Sequence, residues 1–166
     1  MRLCYQVRIV FCVILFLGAF EGTNALESQS RPHNSRQARL YFIRQPAILS
    51  KLGSADIKID GASVGSLGAS SYIAVDRPPG QHTISVFGPI LDSVGFEADI
   101  KLEPGVSYYF ELGPFVHGTN DLISRSLMVT TGRPIRGRFN ATTVYMFYSL
   151  DAAAGAASIA RLRDRS

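Results

Sequence analysis

The chain has no tryptophan, three histidines and two cysteines, and both cysteines, Cys4 and Cys12, lie close to its start. Everything after them therefore lacks a thiol that could form a disulfide, attack a substrate or bind a metal as thiolate. The histidines, His33, His82 and His117, show no H-x-E or H-E-x-x-H spacing, and a zinc site needs three or four ligands at compatible positions. No metal or other cofactor is expected. Charge is sparse as well. The formal net charge is +4, too diffuse to suggest a nucleic-acid partner. No apolar run approaches the roughly 20 residues of a membrane span; the longest, Ile9 to Phe20, falls well short.

That short run is nevertheless informative. Arg2 and Arg8 precede or open it, and Thr23-Asn24-Ala25 places small residues at the −3 and −1 positions of a cut. A charged start, a short apolar core and a small-residue site make a secretory signal peptide over residues 1–25. Cys12 follows bulky Phe11 in mid-run and does not suit lipid attachment. The expectation is a chain secreted across the inner membrane and cut before Leu26. It would then be periplasmic or envelope-associated, with no transmembrane anchor. Cleavage would remove Arg2, Arg8 and Glu21, and so one net positive charge. What remains, 26–166, is enough for one domain with its own core.

Residues 26–37 are polar and read as a flexible leader. From Ala38 the pattern is β. Arg39 to Arg44 is apolar on both faces, as in a strand buried between layers. Asp56 to Asp60 alternates and runs into Asp60-Gly61, a pair that accepts the positive φ angles of a type I′ hairpin. Ser71 to Asp76 and Gln81 to Phe87 follow. Val94 to Leu102 and Val106 to Leu112 each set an apolar face against a polar one, which predicts an antiparallel sheet. Pro79-Gly80 and Pro104-Gly105 precede strands at matching offsets, and both are read as type II turns. Residues 114–138 are irregular, with a candidate strand in Leu122 to Thr130. Thr142 to Leu150 is β-prone. Asp151 can cap a short alanine-rich helix whose Gly155, Ile159 and Leu162 share a face. The fold expected is an all-β, antiparallel immunoglobulin- or transthyretin-like sandwich of about seven strands over residues 38–150. A short C-terminal helix and tail would fill 151–166.

Ile57-x-Ile59-Asp60-Gly61-x-x-Val64-Gly65-x-Leu67, followed by Pro79-Gly80-x-His82-x-Ile84-x-Val86, resembles the PEGA-type surface-layer modules. With Leu102-x-Pro104-Gly105-x-x-Tyr108-Tyr109-Phe110 and the run from Val144 to Leu162, the whole is similar to an uncharacterised bacterial family of small exported domains. That resemblance implies a β-sandwich of the bacterial envelope and carries no catalytic residues.

The chemistry-bearing side chains have structural readings close at hand. Asp60 serves a turn, His82 shares a strand face with Ile84 and Val86, and Glu97 and Asp99 lie on a wet face with Lys101. The Gly61, Gly65, Gly68 series is followed by no helix that could cradle phosphate. Two surfaces suit an interaction. The first is a basic loop of Arg133, Arg136 and Arg138, whose guanidinium forks fit phosphate or carboxylate. The second is an aromatic set, Tyr109, Tyr145 and Phe147, which stays exposed unless the C-terminal helix or the 114–138 segment covers it. The function expected is a non-catalytic envelope module that contacts an envelope protein or an anionic envelope polymer. The alternative is a periplasmic carrier of a small apolar ligand or lipid.

Overall fold

The computed structural model describes residues 34–46, 53–88, 95–115, 132–140 and 142–163. The expected signal segment, most of the expected leader, His33, His117, Val94 and the Leu122 to Thr130 run lie outside these residues.

Among the described residues nine strands and one helix are formed. They are β1 (Ala38–Arg44), β2 (Ala55–Ile59), β3 (Ala62–Leu67), β4 (Ser71–Arg77), β5 (Gly80–Phe87), β6 (Phe96–Leu102), β7 (Ser107–Pro114), β8 (Arg133–Pro134), β9 (Tyr145–Leu150) and α1 (Ala152–Arg163). Two sheets result, β4-β1-β7-β9-β8 and β3-β2-β5-β6, and the architecture is an all-β sandwich with a short C-terminal helix. The strands beyond the expected seven include β3, whose Gly65 interrupts the apolar alternation, and the two-residue β8. Pro134 sits at a sheet edge, where a missing N–H costs the ladder nothing.

One pair departs from the antiparallel expectation. β1 runs parallel to β7, with Tyr41 opposite Tyr109 and Phe42 opposite Phe110, while its other side pairs antiparallel with β4. A dry face alternating with a wet one does not by itself fix strand direction, because a helix can cover the outer face afterwards. α1 does so here.

The inward faces fill the space between the sheets. Leu40, Phe42, Phe110 and Phe147 come from one sheet, and Ile57, Ile59, Ile84, Val86, Phe96 and Leu102 from the other. Phe147 is central, with ring centroids 5.5 Å from Phe42, 6.2 Å from Phe110 and 6.1 Å from Phe96. Each such ring is worth about 1.5–3 kcal/mol in burial alone.

The turns divide by chemistry. Asp60 and Gly61, at φ 52° and 78°, form the two-residue loop joining β2 to β3, the backbone that a type I′ hairpin requires. At Glu103 to Val106 the Val106 N–H donates to the Glu103 carbonyl at 3.4 Å, and Gly105 has φ 73°, a type II turn with proline second and glycine third. Pro79-Gly80 is different. Gly80 has φ 139° and already pairs with Leu102 as the first residue of β5. The shared turn expected from spacing is absent, because at this point the chain crosses from one sheet to the other. The leader expectation also shifts at its end. Residues 34–37 form a turn (Gln37 N–H to the Asn34 carbonyl, 2.9 Å), and the Gln37 carbonyl accepts from Gly105 N–H at 3.0 Å.

Candidate functional site

The aromatic surface expected from Tyr109, Tyr145 and Phe147 does not form. Phe147 and Tyr145 point into the core, at 0% and 2% exposure. Alternation along β9 separates them correctly from Met146 and Tyr148 but cannot say which set faces inward, since both sets are buried. Tyr109 does lie on the outer face. It stacks on Tyr41 (4.9 Å, 4° between planes) and is covered by α1. Ile43, Leu150, Ile159 and Leu162 complete that cluster, with Tyr72 at its margin. Gly155 is what lets the helix sit so low. A Cβ at this position would fall 2.2 Å from Cγ of Tyr109.

The three loop arginines also part company. Residues 132–140 form a strap across one side of the sandwich. Arg133 and Pro134 pair with β9, the Ile135 N–H donates to the Phe147 carbonyl at 3.1 Å, and Arg138 exchanges both backbone hydrogen bonds with Glu97 of β6 at 2.7 and 3.0 Å. The Arg138 guanidinium donates to Asp99 at 2.8 and 3.3 Å and lies 3.5 Å from Glu97. It is spent on the fold. Arg133 and Arg136 are exposed, with no ion-pair partner among the described residues. Arg133 borders a shallow depression of about 290 Å³ with Ser149, Leu150 and Asp151.

A polar chain runs from Arg138 to the hairpin. Asp99 Oδ1 also accepts from the Thr83 hydroxyl at 2.8 Å, and Thr83 N–H donates to Asp60 Oδ1 at 2.9 Å. Asp60 Oδ2 lies 2.7 Å from His82 Nδ1, and His82 Nε2 lies 2.9 Å from the Pro78 carbonyl. The chain borders an open groove of about 300 Å³ lined by Asp60, Gln81, His82, Thr83 and Asp99. Arg138 and then the Thr83 hydroxyl hold the Asp99 carboxyl below its ordinary range. The Thr83 N–H, then His82, do the same for Asp60. Gly61-Ala62-Ser63-Val64-Gly65 carries the spacing of a nucleophile elbow, but such an elbow needs a strand-to-helix turn. Ser63 lies instead on β3, opposite Lys58, and the His82 ring is engaged by Asp60 and Pro78. Among the described residues no group of three His, Cys, Asp or Glu side chains could hold a metal, and no helix is long and apolar enough to cross a membrane.

The lowered Asp60 value gives a prediction. A carboxyl whose folded value lies below its unfolded one stabilises fully above the unfolded value, near ~4, and loses this contribution as pH falls through the folded value. Asn accepts the same positive φ, so Asp60→Asn keeps the turn and removes the charge. Thermal midpoints should converge between wild type and variant on acidification from pH ~6 to ~2, with wild type higher at the upper end. Asp60 is half exposed, so the gap should stay under about 1 kcal/mol. Parallel curves would assign the carboxylate no such role.

With fold and site described, one family match decides kinship. Residues 34–120, just over half of the chain, match the family described as protein of unknown function (DUF2846). The chain belongs to the DUF2846 family. No curated protein matches it. In this DUF2846 protein the matched region covers β1 to β7 and therefore all of the β3-β2-β5-β6 sheet, the Asp60 hairpin and the Pro104-Gly105 turn. The strap, β9 and α1 lie beyond it, so Arg133 and Arg136 stand on a part of this chain outside the shared DUF2846 region.

Proposed function

We propose that this DUF2846 protein is an exported, non-catalytic β-sandwich module of the bacterial envelope, and that it touches an anionic envelope polymer through its strap. The observation that carries the reading is the division among its arginines. Arg39 is paired bidentately with Asp76, at 2.6 and 2.7 Å, Arg44 is buried in hydrogen bonds, and Arg138 is tied to Asp99. Arg133 and Arg136 alone of the arginines on the strap are left exposed without an ion pair among the described residues. The signal-like start of the chain and the likeness of the hairpin motifs to PEGA-type surface-layer modules support the envelope setting. The aromatic filling between the sheets favours a rigid contact module over a carrier of apolar ligands.

The test is co-sedimentation of the purified protein with isolated cell envelopes. Two exposed arginine contacts of about 0.7 kcal/mol each amount to about tenfold in affinity. Arg133→Gln/Arg136→Gln should therefore weaken retention about tenfold, and added salt should weaken wild-type retention in the same direction. The thermal midpoint should not move. Retention unchanged by the double substitution would sink this reading.

A further inference from the structure

Among the described residues, the edge of β6 is closed only at Glu97, by the strap. In an antiparallel ladder the backbone groups of alternate residues point to the same side. Because Glu97 turns both its N–H and its C=O outward to Arg138, Asp99 and Lys101 must turn theirs outward too. The strap has left β6 by then, since Ile135 already bonds to Phe147 on the other sheet. Asp99 and Lys101 thus present an edge that no described residue closes, and both side chains are exposed, with Ile100 half-buried between them.

We infer that this stretch is a self-pairing edge, through which two copies of the chain join antiparallel about a two-fold axis at Ile100. Three features of β6 fit that register. Placing Asp99 opposite Lys101 of the partner subunit, and Lys101 opposite the partner's Asp99, brings outward backbone groups face to face in two hydrogen-bonded pairs. The same register sets each Asp99 carboxylate, already bonded by Arg138 and Thr83 of its own chain, across from a second cation, the Lys101 ammonium of the partner subunit, a favourable cross-strand arrangement made twice. Ile100 then meets its own copy on the inner face. The strand ends also suit it. β6 stops at Leu102 and the Pro104-Gly105 turn carries the chain away, so each copy leaves the ladder before reaching the edge position where the other's strap is docked on Glu97. The interface is isologous, as a two-fold axis demands, and would join two four-stranded sheets into one of eight.

The overlap is short, well below the ~1,000 Å² of a stable interface, so the dimer should be weak, with a Kd on the order of 100 µM. Sedimentation velocity of the purified chain from about 10 µM to about 1 mM should show a monomer giving way to dimer. Asp99→Lys and Lys101→Asp each place like charges opposite one another, so each alone should weaken self-association about tenfold or more. An equimolar mixture of the two should associate again, since one strand then carries two acids and the other two bases. That recovery separates lost pairing from lost folding. A wild-type chain that stays monomeric throughout, single variants that dimerise like wild type, or a mixture that fails to recover would each overturn the proposal.

Discussion

Replacing Gly155 with leucine should strip α1 from the sheet. The helix passes so close to Tyr109 that a single added carbon would lie 2.2, 2.4 and 2.6 Å from three atoms of its side chain. Tyr109 cannot retreat, because its ring is stacked on Tyr41 across the parallel β1–β7 pair. The helix must rise instead, and Ile159 and Leu162, now 7% and 4% exposed, would lose their contact with Ile43 and Leu150. Overpacking alone costs about 1–3 kcal/mol, and unseating two large aliphatic side chains adds about 1.5–3 kcal/mol for each. Hydrogen exchange should report the change. Amides of 152–163 would lose protection by orders of magnitude while those of β5 and β6 keep theirs. Protection unchanged along α1 would show that the helix has room the packing denies it. The alanines on its outer face give it little else to hold on with.

The second large effect is expected at Arg44. Its side chain is 5% exposed and donates to the Gly53 and Leu67 carbonyls and, at 2.9 Å, to the Tyr145 hydroxyl, with the guanidinium carbon 5.1 Å from the centroid of the Tyr145 ring. This one side chain ties the end of β1 to the end of β3 in the opposite sheet and to the start of β9. Burial raises the Tyr145 phenol above its ordinary value, so it stays a neutral partner. Arg44→Met preserves much of the apolar stem but removes the donor from the buried Leu67 carbonyl and Tyr145 hydroxyl, while the carbonyl of exposed Gly53 can turn to water. At about 1–3 kcal/mol for each buried group left unsatisfied, the loss should be about 3–5 kcal/mol in urea unfolding. That is a large part of the roughly 5–15 kcal/mol typical of a domain. Arg44→Lys should recover only part of it, because one ammonium cannot reproduce the planar fork. A Met variant as stable as wild type would mean that the cost of burying the cation cancels what its hydrogen bonds contribute.

These two residues also show what a sequence can and cannot disclose. Asp60-Gly61 is legible because a two-residue loop needs two positive φ angles and few residue pairs supply them. The alternation of Phe96 to Leu102 is legible because one side of β6 is wet. So is the helix, from Asp151 as a cap, which accepts from the Ala154 N–H at 2.8 Å, and from its Gly155, Ile159, Leu162 face. Tyr145 and Phe147 are placed on the wrong side because β9 is buried on both, and a pattern with no wet face cannot orient a strand. Arg138 groups with Arg133 and Arg136 only in sequence, and proximity there says nothing about acids on a distant strand. Arg44 carries no signal, since a charged residue ending an apolar run looks like a strand reaching solvent. Its acceptors are mostly backbone carbonyls, which no side-chain pattern reveals.

The parallel pairing of β1 with β7 bears on the order in which the molecule assembles. β1, the first strand among the described residues, sits second in its sheet, and its parallel neighbour begins only at Ser107, with five described strands in between. The β2–β3 hairpin can close as soon as it is made, since its ends are adjacent. β1 cannot. Contacts this distant in sequence form slowly, because a long loop must be closed before they repay it. A chain delivered N-terminus first would therefore carry Leu40, Tyr41, Phe42 and Ile43 with one side unsealed until most of its length has arrived. Its hazard is a matter of timing: a hydrophobic strand waits in the open for a neighbour that is among the last to come.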